Sequence, residues 1–288
     1  MALVLNEEQV MLRDSAAGFL GEHATVMHLR ALRDSASERG FEDDVWSRMA
    51  EMGWAGIAIE EAFGGLGYGY TGLGLVMEQV GRNLSASPLQ STVLVAATVI
   101  AELAGDAHKE QLLPAIAAGQ GIATLAMQEG RHHAPEKTEM SGRRDGDEFV
   151  LNGSKVLVLD AHVADYFIVI VRTSGEPGQQ HGLSALLVPA STEGLIIDRR
   201  SMVDSLNAGA LEFANVRVPA TALLGQEGEA WSGLSRAIDI ANIGLSSELL
   251  GLSSAAFEQT VAYLQERKQF GRVIGSLQGL QHRAAELF

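Results

Sequence analysis

The 288-residue sequence contains no cysteine. That excludes disulfides, thiolate chemistry and Cys-ligated metal, and it fits a reducing cytoplasm. Uninterrupted apolar runs long enough to span a bilayer are also missing. The first residues, Met1-Ala-Leu-Val-Leu-Asn-Glu-Glu8, lack the basic start and long apolar core of a signal peptide. Basic side chains are few: 21 Lys and Arg stand against 36 Asp and Glu, which gives a formal charge of −15. Such a surface repels phosphate backbones and anionic lipid, so nucleic acid and membranes are poor partners. An anionic ligand can still bind where a helix N-terminus or a few Arg dominate locally. The two adjacent histidines, His132 and His133, have no third ligand at a suitable spacing, so no metal site is expected.

Hydrophobic residues make up 47% of the chain, enough for a sizeable core. To about residue 120 the apolar spacing is helical. Val10, Leu12, Ala16, Phe19 and Leu20 share one face, and Asn6 is placed to cap that helix. Further helical stretches read at 43–52, 71–80, 91–104 and 108–118, with Pro88 and Pro114 as punctuation. Gly67-Tyr-Gly-Tyr-Thr-Gly72 fits a dinucleotide-type glycine string. Helical flanks and the absence of a βαβ pattern make it a turn. From about residue 122 strands take over: 149–151, 155–159, 166–171, 183–188 and 211–218. Asn152-Gly153 reads as a hairpin turn. After Gly225 the helical pattern returns. Residues 231–269 contain no Pro and read as one very long helix, apolar or small on nearly every side over 238–252. Such a helix belongs at the centre of a bundle or a subunit interface. The pattern predicts an α+β fold: an N-terminal helical domain (1–120), a middle antiparallel β domain (121–224) and a C-terminal helical bundle represented by its first helices (225–288).

Glu266-Arg-Lys-Gln-Phe-Gly271, followed by Ile274, Leu277 and Gln278, resembles the C-terminal signature of the acyl-CoA dehydrogenases. Trp54-Ala-Gly-Ile-Ala-Ile-Glu-Glu61 with Phe63-Gly-Gly-Leu-Gly67 resembles that family's N-terminal segment. So do Leu112-Leu-Pro114, Leu125-Ala-Met-Gln-Glu129 and Val216-Arg-Val-Pro219 at later points. The resemblance covers the whole chain and implies FAD as cofactor. It implies that Arg267, Phe270 and Gln278 contact the FAD of a neighbouring subunit. A guanidinium suits a pyrophosphate, an aromatic covers an adenine, and an amide reaches ribose or phosphate. Read as residue types alone, the same positions are a solvated Arg and a Phe anchoring a turn.

The flavin ring of that family rests on the first β strand and on a second strand. The corresponding positions are Met127 and Gln128, then Leu157 and Leu159. Gln128 stands where the family has a Thr, and the two leucines stand where it has an aromatic and a Thr. Residues 130–139 lack the family's Gly-Ser turn. Dehydrogenation of an acyl thioester needs a carboxylate base while hydride passes to the flavin. A minority of the family carries this base on the long helix, where this chain has Ala241 and Asn242. Glu248, two turns further on, is a candidate relocated base, against the plainer reading of a buried, hydrogen-bonded Glu. The resemblance implies an oligomer, homomeric or with another acyl-CoA dehydrogenase-like chain, an acyl-CoA substrate, and an electron-transfer flavoprotein as acceptor. Val158-Leu-Asp160 with Ala164-Asp165 is similar to divergent small subunits of that family, so a non-catalytic partner that completes another chain's FAD site is the second reading.

Overall fold

The computed structural model describes residues 4–288. Helix α1 (Glu7–His23) opens on a reciprocal cap. The Asn6 side chain accepts from the Gln9 backbone N–H at 2.8 Å, and Gln9 returns the bond to Asn6 N–H at 3.0 Å. Short α2 (Val26–Asp34) and α3 (Asp43–Glu51) follow, then α4 (Tyr70–Asn83). A π-helix over Leu89–Ala96 runs directly into α5 (Ala97–Leu103), and α6 (Asp106–Ala117) closes the layer. Pro114 lies inside α6 and does not end it.

The sheet comprises β1 (Ala123–Ala126), β2 (Ser141–Asp145), β3 (Glu148–Leu159), β4 (Tyr166–Arg172), β5 (Leu183–Pro189), β6 (Leu195–Ser201), β7 (Asn207–Pro219) and β8 (Leu223–Leu224). Its order is β6-β7-β3-β2-β4-β5-β8, with β1 on β4. Two expectations change here. The sheet is mixed, because β1 runs parallel to β4. Asn152-Gly153 is no hairpin: β3 passes straight through it. Gly153 sits at a register shift against β7, at φ 138, and a Cβ there would lie 2.8 Å from Met140 Cγ. The Asn152 side chain is taken by Asn215 N–H at 2.9 Å. The actual β2–β3 turn is Gly146-Asp147, with Gly146 at φ 64.

Strand β4 is buried on both faces, which explains its unbroken apolar run. Phe167, Val169 and Val171 pack in one core with Ala16, Leu20, Trp46 and Met77. Ile168 and Ile170 pack in the other with Ile100, Leu112, Ile116 and Leu234. The first core also holds Phe149, Leu151, Leu211 and Val216 of β3 and β7, so strands as well as helices cover that face of β4.

Helix α7 (Trp231–Glu266) is a single 36-residue helix, as its sequence predicts. It crosses α4 at close range, where a Cβ on Gly81 would overlap the Glu248 carbonyl and one on Gly251 the Glu78 carbonyl. Arg82 and Glu258 brace the same crossing at 2.6 Å. Its other side is bare: Ile243, Leu249 and Leu250 are all more than half exposed. The expected central burial is therefore realised on one face only. A two-stranded hairpin, β9 (Lys268–Gln269) and β10 (Arg272–Val273), leads from α7 to α8 (Gln278–Leu287).

Candidate functional site

The π-helix, β1 and α7 enclose an apolar cavity of about 180 Å³. Leu94, Val99, Leu125, Met127, Ala237 and Ile238 form most of its wall, and Gln90, His133 and Asn242 are its polar members. π-Helical turns are rare and recur at functional sites, because the extra residue re-aims side chains within a helix. Here the turn directs Gln90, Leu94 and Val95 to one cavity. Gly244 lets α7 approach, since a Cβ there would overlap Leu94.

Met127 is on this cavity, and its neighbours are tied to β3. Val156 N–H donates to the Gln128 carbonyl at 2.7 Å. Strand β3 carries one extra residue between Lys155 and Val158, and Leu157 takes it up at φ 53, with 52% of its surface exposed. Met127, Gln128 and Leu157 therefore share one edge. Leu159 does not: it lines a separate small cavity of about 30 Å³ with Asp160, Ser87 and Asn207. The Gln128 amide is turned into its own loop, donating to the carbonyls of Gly130 (2.8 Å) and His132 (2.6 Å).

Beneath that edge lies a polar hub that no sequence motif marks. Lys155 is fully buried. Its ammonium donates to Glu129 Oε1 at 2.6 Å and to the Met127 carbonyl at 3.2 Å. Burial pulls the Lys155 ammonium down to about 8, against the opposing pull of Glu129. Glu129 also accepts from the backbone N–H groups of Glu139 (2.7 Å) and Met140 (3.1 Å). Arg172 grips the same loop, donating to the carbonyls of Thr138 (2.9 Å) and Glu136 (2.7 Å). Residues 130–140, where the Gly-Ser turn is absent, are thus pinned at several points and carry His133 to the cavity mouth. A lysine at the head of the strand run 155–159 is the one signal in the sequence for this hub.

Glu248 lies outside the lining of the cavity, although Ala241 is part of it. It sits at the α4–α7 crossing, where its Oε2 is buried without a hydrogen-bond partner, and burial pushes its carboxyl above the usual range. No carboxylate lines the cavity among the described residues.

Arg267, Phe270 and Gln278 gather elsewhere, on the exposed connection between α7 and α8. Arg267 caps α7, and its carbonyl accepts from Ile274 N–H at 2.8 Å. Phe270 and Gly271 form the two-residue turn of the β9–β10 hairpin, at φ 53 and 75. That turn requires positive φ at both positions. Phe270 adopts it at a strain cost and is 88% exposed. Gln278 is the first residue of α8 and is also exposed. Arg267 has no ion-pair partner among the described residues. A free guanidinium, a projecting aromatic ring and a helix N-terminus together fit a dinucleotide's pyrophosphate and adenine. A polar cleft of about 340 Å³ at the start of α7 contains the Arg236–Glu102 pair and none of these residues.

Three family models match the chain in sequence: "Acyl-CoA dehydrogenase, N-terminal domain" over residues 6–120, "middle domain" over 126–216 and "C-terminal domain" over 231–288. The chain belongs to the acyl-CoA dehydrogenase family. Members of this family are FAD-dependent oxidoreductases. The short/branched chain specific acyl-CoA dehydrogenase of Bos taurus is 27% identical over 98% of this chain and 65% of its own length. The acryloyl-CoA reductase (NADH) of Anaerotignum propionicum is 30% identical over 100% and 73%. Among solved structures, the Tcur3481-Tcur3483 steroid ACAD variant superposes with a TM-score of 0.85 at 31% identity, covering 97% of this chain and 73% of that one. The chain spans about two thirds of the length of the first of these curated relatives. No helix among the described residues is long and apolar enough to cross a membrane.

Proposed function

We propose that this chain is a subunit of an FAD-dependent acyl-CoA dehydrogenase in which each flavin is held by two chains. The ring lies against the Met127, Gln128 and Leu157 edge of one chain, and the adenosine end lies on Arg267, Phe270 and Gln278 of its neighbour. One observation carries this reading. Ala241 lines the ring-side cavity, and Arg267 caps the same unbroken helix 26 residues later. At 1.5 Å per residue that is about 39 Å, too far for one flavin to bridge within one chain. FAD, when bound, supplies the hydride acceptor for α,β-desaturation of an acyl-CoA thioester. This chain's contribution is to hold the nucleotide and exclude water: the apolar wall of Leu94, Leu125 and Ile238 takes an acyl chain, and Arg267 neutralises phosphate. The steroid ACAD relative supports steroid-derived acyl-CoA thioesters as the first substrates to try, with an electron-transfer flavoprotein as acceptor.

A second reading is favoured by the inward-turned Gln128 amide. In it the chain is a non-catalytic partner, lending only Arg267, Phe270 and Gln278 to the FAD of another chain. Co-purification with a second acyl-CoA dehydrogenase-like chain and measurement of bound FAD tests the shared site. Arg267→Ala and Phe270→Ala are each expected to lower FAD retention at least tenfold without lowering the melting temperature of the FAD-free chain, because both side chains are exposed. Unchanged FAD content in both variants would overturn the proposal. Flavin bleaching by an acyl-CoA in the lone chain would remove the second reading.

A further inference from the structure

The buried hub beneath β1 is not explained by holding a loop alone. A lysine with no exposed surface, wedged between a carbonyl and a carboxylate, is an expensive way to fix a loop that Arg172 already grips. Its ammonium contacts the carbonyl of Met127, the residue whose side chain faces the cavity. We propose that Lys155 is a positioning residue for the flavin ring: its ammonium fixes the Met127 carbonyl and the Glu129 carboxylate, and so holds the edge that receives the ring and sets one positive charge behind it. This rests on the ring-side half of the proposed function.

The geometry supports each part. Lys155 lies before the extra residue of β3, and Leu157 lies within it, so the same bulge that exposes Leu157 keeps Lys155 inside. The charged groups facing the ammonium are Glu129, three residues beyond β1, and, through Glu129, Arg172 of β4. Glu129 shares its negative charge with two backbone N–H donors, so it offsets the ammonium in part. A cation behind the ring favours the reduced, more negative flavin, and Glu129 opposes that effect. The two residues therefore act with opposite sign on one observable. With the Lys155 ammonium titrating near pH 8, the effect fades as pH rises through that value.

The test uses the FAD-loaded assembly with its partner chain and compares Lys155→Met, Lys155→Arg and Glu129→Gln. The midpoint potential is expected to fall by about 30 mV in Lys155→Met, a tenfold change in the two-electron equilibrium, and to rise in Glu129→Gln at a pH low enough to keep the ammonium charged without Glu129. Lys155→Arg, which keeps the charge, should recover part of the loss. The wild-type potential should carry an inflection near pH 8 that Lys155→Met lacks. Potentials that stay at the wild-type value, or that shift in the same direction for both residues, overturn the proposal. Should Lys155→Met fail to fold, the sign in Glu129→Gln decides. Hydrogen exchange at the Glu139 and Met140 amides reads the positioning without flavin. Exchange should speed at least tenfold in Lys155→Met, and unchanged protection counts against the hub. An assembly that binds no FAD while this exchange behaves as expected speaks against the shared flavin site and leaves the hub's positioning role in place.

Discussion

Asp160 shows how a single side chain can oppose the fold it helps to build. It follows the last residue of β3, at φ 51, and its backbone N–H donates to the Asn207 carbonyl. Its carboxylate accepts from Ser91 Oγ at 2.6 Å, which joins the sheet to the π-helix. Burial pushes the carboxyl up to about 6, and the Ser91 bond offsets only part of that. A raised native pKa means that the folded state binds the proton more tightly than the unfolded one. The penalty is absent below about pH 4, grows between about 4 and 6, and is full above about 6. Asp160→Asn keeps an acceptor for Ser91 and removes the buried charge. We expect it to stabilise the chain by on the order of 2–3 kcal/mol at pH 7.5, from a pKa difference of about two units. Urea unfolding at pH 7.5 and pH 4 checks this; equal gains at both values would show that the charge is not the cause. Arg267 and Phe270 stand out in sequence because they belong to one contiguous family-like signature, and both are exposed. Lys155, Arg172 and Asp160 do not, because their roles come from partners distant along the chain, such as Glu129 and Ser91.

Helix pairs are governed by how close two backbones can come. At the α4–α7 crossing, Gly81 and Gly251 each face a carbonyl of the opposite helix where a methyl group would overlap it. Gly251→Ala must push the helices apart along a braced contact, so it should destabilise by about 1–3 kcal/mol. Gly18 lies on the open side of α1, where an added methyl group would meet nothing within 4 Å. Gly18→Ala should therefore stabilise by about 0.5–1 kcal/mol through helix propensity alone. Thermal melts of the two variants should move in opposite directions, and a matched loss in both would refute the distinction. Long helices such as α7 are readable because 36 residues without proline leave little choice. Strand β3 departs from its local pattern at Asn152-Gly153 because ladder pairing with β7 on both sides of the bulge outweighs turn chemistry. The π-helix leaves no sequence trace: its extra residue per turn depends on packing against β1 and α7. Helix α2 leaves little, because it is only nine residues long and Leu29 alone among them is buried.

At the scale of the molecule, the two candidate halves of the flavin site lie at different points along one rigid rod. The ring-side cavity meets α7 near Ala241, and the adenosine-side residues cap its far end. Neither half can close on the other within a chain, because α7 has no break and its bracing by α4 at Gly81, Gly251 and the Arg82–Glu258 pair resists bending. Flavin affinity should then be a property of the assembly. If each flavin bridges two chains, its dissociation is linked to theirs, and FAD stabilises the assembled state by mass action. Dilution through the subunit dissociation range is expected to release FAD in step with the loss of the oligomer, and added FAD should move that transition to lower protein concentration. Analytical ultracentrifugation recorded at both the flavin and the protein absorbance reads the two together. Phe270→Ala should weaken the coupling by removing the adenine contact while leaving each chain folded, since that side chain touches little of its own chain. FAD that stays with isolated monomers, sedimenting at their rate, would place the whole site within one chain and refute the two-chain arrangement.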